Sequence, residues 1–349
     1  MPHAGPSTVI AGDRREPWQR ELTAAVRDAG ELRSLLGLPA APAPAAVGEF
    51  PLLVPRGFVA RMKPGDPHDP LLLQVLPVAA EDIATPGFTA DPLLERDALA
   101  APGLVRKYAG RALLLAAAGC AVNCRYCFRR EFPYAESGAH RAGIAAAVET
   151  IAADATLHEV ILSGGDPLLL DDDRLAELIG RLEAVPHVRR LRIHTRLPVV
   201  LPERVTDALV AMLRATRLAG VVVVHANHPA ELDDAVAAGL RRLVAAGVIL
   251  LNQSVLLAGV NDSPDVLAEL SERLVDIGVV PYYLHLLDRV RGTAHFEVAE
   301  REALGLIDAL RRRLPGYAVP RLAREVPGEA AKTWIGYHSS RTEIPGERP

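Results

Sequence analysis

Cys120-Ala-Val-Asn-Cys124-Arg-Tyr-Cys127 carries all three cysteines of this 349-residue chain. Three cysteines packed this closely make a poor disulfide framework. They make a good iron–sulfur one, because three thiolates hold three irons of a [4Fe–4S] cube and leave the fourth iron open to a small molecule. The alternative is a structural zinc site, which usually takes four closed ligands, often as two separated pairs. No fourth cysteine exists, so a histidine would have to complete it. The compact triple points to the cluster.

Working outward, the composition sets bounds. Half of the residues are apolar, enough for a core in one large domain with extensions. A formal net charge of −4 argues against a nucleic-acid partner. The densest basic run, Arg311-Arg312-Arg313, reads as a solvated helix face. The chain opens MPHAGPSTVIAGDRREPWQR, which has no apolar stretch like that of a secretory signal. Its longest apolar run, around 112–122, is too short for a bilayer. The expectation is a cytoplasmic protein with no membrane partner, in a compartment that keeps thiols reduced.

Lysine is scarce. Of 39 basic residues, only Lys63, Lys107 and Lys332 are lysines. Where positive charge alone suffices, this chain uses arginine, so a retained lysine is a candidate for chemistry closed to a guanidinium, such as Schiff-base formation. Lys63 lies in a turn-like Lys-Pro-Gly-Asp stretch and needs no such explanation. Lys332 lies in the loop-like Pro327-Gly-Glu-Ala-Ala-Lys-Thr.

Residues 18–38 read as one amphipathic helix closed by Gly37 and Pro39, with a Pro/Ala linker over 39–46. Strand-like runs then appear at 112–118, 159–162, 189–193, 221–224, 248–251 and 279–284. Helical windows lie between them at 175–184, 204–213, 232–245 and 266–277. Alternation of this kind predicts a parallel α/β sheet. Polar segments follow each strand: Cys120 to Cys127, Ser163-Gly164-Gly165-Asp166-Pro167, His194-Thr-Arg, His225-Ala-Asn-His-Pro, Asn252-Gln253-Ser, and His285-Leu-Leu-Asp288. Sites of (β/α) barrels gather at that end of the strands. We therefore expect a partial (β/α)₆ barrel over 106–300, a helical or irregular extension over 1–105, and a C-terminal segment over 301–349 carrying Lys332. In the Ser163–Pro167 loop, Gly164 and Gly165 allow close backbone approach to a ligand, and Asp166 is an acceptor for an ammonium. His225 and His228 are too unspecific in spacing for a metal site and suit hydrogen bonding.

Taken together, CAVNCRYCFRR, SGGDPL, RIHTRLPVVLP, HANHP, LNQSVLL, GVND and PYYLHLLD resemble the lysine 2,3-aminomutase family of radical S-adenosylmethionine (SAM) enzymes. The flanks VPRGFVARM, DPLLLQVLP, APGLVRKY and PRLAREVPGEAAKT resemble its branch that makes (R)-β-lysine for modifying bacterial elongation factor P. The resemblance implies a radical SAM barrel with Cys120, Cys124 and Cys127 on a [4Fe–4S] cluster. It places SAM against Ser163, Gly164, Gly165, Asp166, His225 and Gln253. Pyridoxal 5′-phosphate (PLP) falls to Lys332, with Lys107, Tyr108 and Arg111 around it. Lysine is the implied substrate, its carboxylate on Arg129 and its distal ammonium between Asp288 and Glu325. The better-known aminomutases have arginine at position 107 and aspartate at 325. The added methylene of Glu325 moves its carboxylate by about one carbon–carbon bond, which leaves substrate preference and product stereochemistry open.

The implied partners are free lysine, a reductant such as flavodoxin or ferredoxin, and a functional link to a β-lysine ligase and elongation factor P. A general lysine 2,3-aminomutase of β-lysine metabolism is the rival within the family. Its zinc-assisted dimer contacts need cysteines that do not follow Cys127 here. An RNA-modifying radical SAM methylase would usually bring further cysteines and a basic surface. An iron–sulfur electron carrier would need neither the Gly-Gly-Asp loop nor Lys332.

Overall fold

Short apolar runs such as Leu113-Leu114-Leu115 and Val221 to Val224 are wide enough to be buried on both faces, as strands flanked by helices must be. In the computed structural model, which describes residues 15–42, 44–45, 50–134 and 136–336, they belong to one ten-stranded sheet ordered as in the chain. The strands are β1 (Leu99–Ala101), β2 (Leu104–Val105), β3 (Arg111–Ala117), β4 (Glu159–Gly164) and β5 (Arg190–Thr195), then β6 (Ala219–Val224), β7 (Ile249–Val255), β8 (Val280–His285), β9 (Arg321–Arg324) and β10 (Thr333–Trp334). From β3 to β9 every pairing is parallel, while β1, β2 and β10 are added antiparallel at the two edges. The first and last strands of the described residues do not pair, so the barrel stays open along one side.

Each of β3 to β8 leads into a helix: Arg141–Ala153, Asp172–Glu183, Asp207–Ala215, Asp234–Ala245, Pro264–Ile277 and Glu300–Arg313. The expected partial (β/α)₆ barrel is therefore present, with β9 as one more parallel strand. Side-chain caps set several helix starts: Asp171, Thr206 and Asp233 each accept an N–H from three residues ahead. Gly278, with φ +93°, ends the helix Pro264–Ile277 in the left-handed conformation that glycine adopts most readily.

One local expectation changes. The single helix over 18–38 is two helices, Pro17–Thr23 and Ala29–Leu35. Between them Val26 exchanges both backbone hydrogen bonds with Val54, at 2.8 and 3.0 Å, and Asp28 caps the second helix. A tertiary bridge outweighs the helical periodicity there. The helix Arg141–Ala153 was not anticipated, because its buried face (Gly143, Ala147, Val148, Ile151) is mostly too small to stand out as an apolar stripe.

The N-terminal extension does not stand apart from the barrel. Trp18, Leu32, Val54, Phe58 and Leu71 share one buried cluster with Leu114, Leu162, Val222 and Leu240. Part of the 39–46 linker, the start of the chain and residues 337–349 lie outside the described residues. Among the described residues no helix is long and apolar enough to cross a membrane.

Candidate active site

The polar segments after the strands line one cavity of about 530 Å³, to which Cys120, Ser163, His225, Gln253, Asp288 and Lys332 all contribute. It is also lined by the other two cysteines, by Lys107, Tyr108 and Arg111, and by Arg129, Gly164, Gly165, Asp166 and Glu325. Every residue assigned from the sequence to the cluster, SAM, PLP or the substrate is thus brought to the same space.

At one end the three cysteines are free thiols, with a turn bond from Cys127 N–H to the Cys124 carbonyl at 3.0 Å. Among the described residues no three His, Cys, Asp or Glu side chains gather as a single-ion site. A cluster asks for something different: thiolates spread over separate irons around open space, and this donor set fits it. Burial and the neighbouring Cys124 sulfur push Cys127 up to about 11, so a cationic group must accompany its ionised form.

Gly164 and Gly165 have a local task that the sequence reading did not assign. A Cβ on Gly165 would lie 1.9 Å from the Gly119 carbonyl oxygen, and one on Gly164 (φ +116°) would lie 2.4 Å from that of Ala117. The loop instead docks on the chain leading into Cys120, with Gly165 N–H on the Ala117 carbonyl at 2.8 Å and Asp166 N–H on that of Gly119 at 2.7 Å. Replacing Gly165 with alanine should displace Gly119 and Cys120, cost about 3 kcal/mol, and lower the iron retained per chain, read by iron analysis beside a denaturant titration.

Asp166, expected to face an ammonium, is committed to the chain. Its Oδ1 accepts from Thr195 Oγ1 at 2.7 Å and Leu168 N–H at 3.0 Å, and its Oδ2 from Arg196 N–H at 2.7 Å and Leu197 N–H at 3.1 Å. Its buried carboxylate thereby fixes the end of β5 behind the cavity. On the other wall His225 and Gln253 meet, Nε2 to Nε2, at 3.0 Å. Burial, with Arg196, Lys332 and Arg129 adding, holds His225 down at about 3, so its imidazole is neutral.

Arg129, expected to clamp a substrate carboxylate in a bidentate pair, makes that pair with a residue the sequence reading missed. Glu95 Oε2 lies 2.6 Å from its Nε and Glu95 Oε1 3.0 Å from its Nη2. Its Nη1 donates to Ser163 Oγ at 3.0 Å and to the Gly164 carbonyl at 3.1 Å, and Tyr134 Oη donates to the same carbonyl at 2.6 Å. Glu95 also binds Lys107 Nζ at 3.0 Å. Lys107 reaches Glu325 Oε1 at 2.7 Å, and Glu325 Oε2 reaches Lys332 Nζ at 3.1 Å. The charges alternate along one chain: Arg129, Glu95, Lys107, Glu325, Lys332. Burial works against the Glu325 carboxylate, but Lys332 and Lys107 outweigh it and hold the group at about 2.

Lys332 also lies 3.5 Å from His285 Nε2 and 5.7 Å from the centre of the Tyr283 ring. Arg111 stacks over Tyr108 at 4.6 Å, and Arg192 and Arg321 line the same cavity. A primary amine beside aromatic walls and several guanidinium groups suits an aldehyde-bearing, phosphorylated cofactor. His228 is elsewhere employed, capping Ala230 N–H with its Nδ1 at 3.1 Å.

Residues 115–270 match the model of the radical SAM superfamily. The chain is 49% identical over 323 residues to L-lysine 2,3-aminomutase of Escherichia coli, covering 91% of this chain and 94% of that protein. It is 50% identical over 284 residues to the L-lysine 2,3-aminomutase of Haemophilus influenzae, covering 81% and 84%. To that of Buchnera aphidicola it is 43% identical over 330 residues, covering 93% and 97%.

Proposed function

From the premise that this chain belongs to the L-lysine 2,3-aminomutase family of radical SAM isomerases, we propose that it converts L-α-lysine to (R)-β-lysine with PLP on Lys332. We further propose that the product serves the modification of elongation factor P. One observation carries the reading: Lys332, the three cysteines, Arg129, Asp288 and Glu325 all line the same cavity. Cluster, SAM and PLP, when bound, supply the radical chemistry and the ring that delocalises the unpaired electron.

The protein's own part is placement. A carboxylate and a distal ammonium on one substrate would find opposite charges among the residues lining the cavity, which would fix the carbon chain between them. The Nε–Nη2 edge of Arg129 is held by Glu95 and its Nη1 hydrogens by Ser163 and the Gly164 carbonyl, so a substrate carboxylate would have to take over part of the Nη1 pairing. Asp288, beside a Glu325 shared between Lys107 and Lys332, favours a cationic side chain and disfavours an acidic one. Walls from the barrel strands and the 93–134 segment surround the reactive centre and would limit its contact with water. In this reading Lys107, Tyr108 and Arg111 face PLP, and Gly164, Gly165, His225 and Gln253 face SAM. Asp166 acts from behind, by shaping the loop. A flavodoxin or ferredoxin would supply the electron, and a separate ligase would use the product. The flanking stretches DPLLLQVLP and PRLAREVPGEAAKT, with Glu325 in the second, support the elongation-factor branch.

Asp288 makes the substrate assignment testable by pH. Burial pushes its carboxyl up to about 7, against the pull of Lys332 and Lys107 and with Glu325 and Glu95 adding. An ammonium binds the ionised form, so KM for lysine should fall about tenfold per pH unit up to that value and level above it. Asp288→Asn should raise KM and flatten the profile; a parent KM independent of pH between 6 and 8 would remove Asp288 from the ammonium site.

The deciding experiment is an anaerobic assay of reconstituted protein with SAM, PLP, a strong reductant and L-lysine, with products resolved on a chiral column. (R)-β-Lysine is expected. The (S) product would move the chain to the general aminomutases, and 5′-deoxyadenosine formed without β-lysine would overturn the substrate.

A further inference from the structure

Arg196 is buried just past β5, with its guanidinium turned to the cysteine loop. Nη1 lies 2.6 Å from Cys124 Sγ and 2.6 Å from Tyr126 Oη. Nη2 donates to Gln74 Oε1 at 2.8 Å and pairs with Glu231 Oε2 at 3.0 Å. Glu231 is fully buried, and its other oxygen accepts from Asn227 N–H at 2.9 Å, His228 N–H at 3.1 Å and Gln74 Nε2 at 3.1 Å. Asn227 Nδ2 closes the ring by donating to Gln74 Oε1 at 3.0 Å and Tyr126 Oη at 2.7 Å. Gln74 belongs to DPLLLQVLP in the N-terminal extension, which gives that stretch a place in the site.

We propose that Arg196, oriented by Glu231 and Gln74, sets the reduction potential of the [4Fe–4S] cluster through the Cys124 sulfur. Reduction adds one negative charge to the cluster. A fixed cation and an N–H donor at a ligating sulfur stabilise the reduced state more than the oxidised one, which raises the potential. Burial keeps solvent from screening this effect. A guanidinium cannot lose its proton in a protein, so its charge is constant across working pH. Glu231 opposes the same charge from its far side while holding it in place. Arg196 is therefore a tuning residue, and its partners are positioning residues.

The inference rests on Cys124 being a cluster ligand, which iron and sulfide analysis of the reconstituted full-length parent tests separately; a parent that binds no iron overturns that assignment. Potentiometric titration followed by electron paramagnetic resonance then reads the tuning. Arg196→Gln should lower the reduced-to-oxidised ratio at fixed potential about tenfold, a shift of about 59 mV for one electron. Glu231→Gln should move the midpoint upward, and Arg196→Lys should stay near the parent. A merely structural role would move the Gln variants in the same direction. An unchanged or raised midpoint in cluster-bearing Arg196→Gln overturns the proposal. If Arg196→Gln fails to hold its cluster, an unchanged or lowered midpoint in Glu231→Gln overturns it instead.

Discussion

Lys332→Ala should abolish amino migration, by ~10⁴-fold or more, the scale of losing an essential covalent residue, while iron content stays at the parent level. Lys332 stands in the loop between β9 and β10, far in the chain from the cysteines, so its loss leaves the cluster loop untouched. Its Nζ is placed by Glu325 at 3.1 Å and His285 at 3.5 Å, on the face of Tyr283. The rival amine is Lys107, which lines the same cavity. Lys107, however, is pinned between two carboxylates, Glu95 at 3.0 Å and Glu325 at 2.7 Å, and acts as the link between them. Borohydride reduction of the PLP-loaded parent, followed by peptide mass analysis, should find the modification on the peptide containing Lys332. Modification of Lys107 instead, or full mutase activity in Lys332→Ala, would sink the assignment.

Much of this site was legible because its chemistry demands rare residue types at close spacing. Three cysteines within one turn-rich loop, and one of three lysines beyond the last βα unit, stand out in a chain that otherwise prefers arginine. Strands β3 to β8 were legible for a different reason: each is an apolar run long enough to span a sheet and is followed by a polar segment. What stayed hidden depends on contacts distant in sequence. Glu95 lies in an irregular stretch with no periodicity, and only the fold shows that its carboxylate faces Arg129, 34 residues on. Arg196 stood in the post-strand segment His194-Thr-Arg, but its role had no sign in the sequence until the structure set it against Cys124. Val26 gave no sign that it would pair with Val54 and break a helix. The Gly-Gly-Asp loop was located correctly, yet a turn reads the same whether its glycines admit a ligand or a neighbouring backbone. Here the neighbour is the chain entering Cys120.

Glu95→Ala should cost about 3–5 kcal/mol of stability, because it leaves the buried Arg129 without its bidentate partner and removes one of the two carboxylates on the half-buried Lys107. Arg129 and Glu95 are 7% and 3% exposed, so water cannot take over the lost contacts. Burial alone would raise the Glu95 carboxyl, but Arg129 and Lys107 win and hold it below the ordinary glutamate range. The sign of its pH dependence follows. Stability contributed by a depressed carboxyl is fully present above its unfolded pKa and is lost as pH falls through the folded one. Denaturant titrations of parent and Glu95→Gln should therefore differ most near neutral pH and converge in acid. The same change should be felt at the substrate. Arg129 would lose the bidentate partner that orients its guanidinium, and Lys107 would be free to draw Glu325 away from Lys332. KM for lysine should rise and kcat fall together, with Glu95→Asp recovering part of both, since it restores the charge but not the reach. Equal stability at every pH, or unchanged kinetics in Glu95→Gln, would mean that the alternating chain of charges does not join the carboxylate end of the cavity to its lysine.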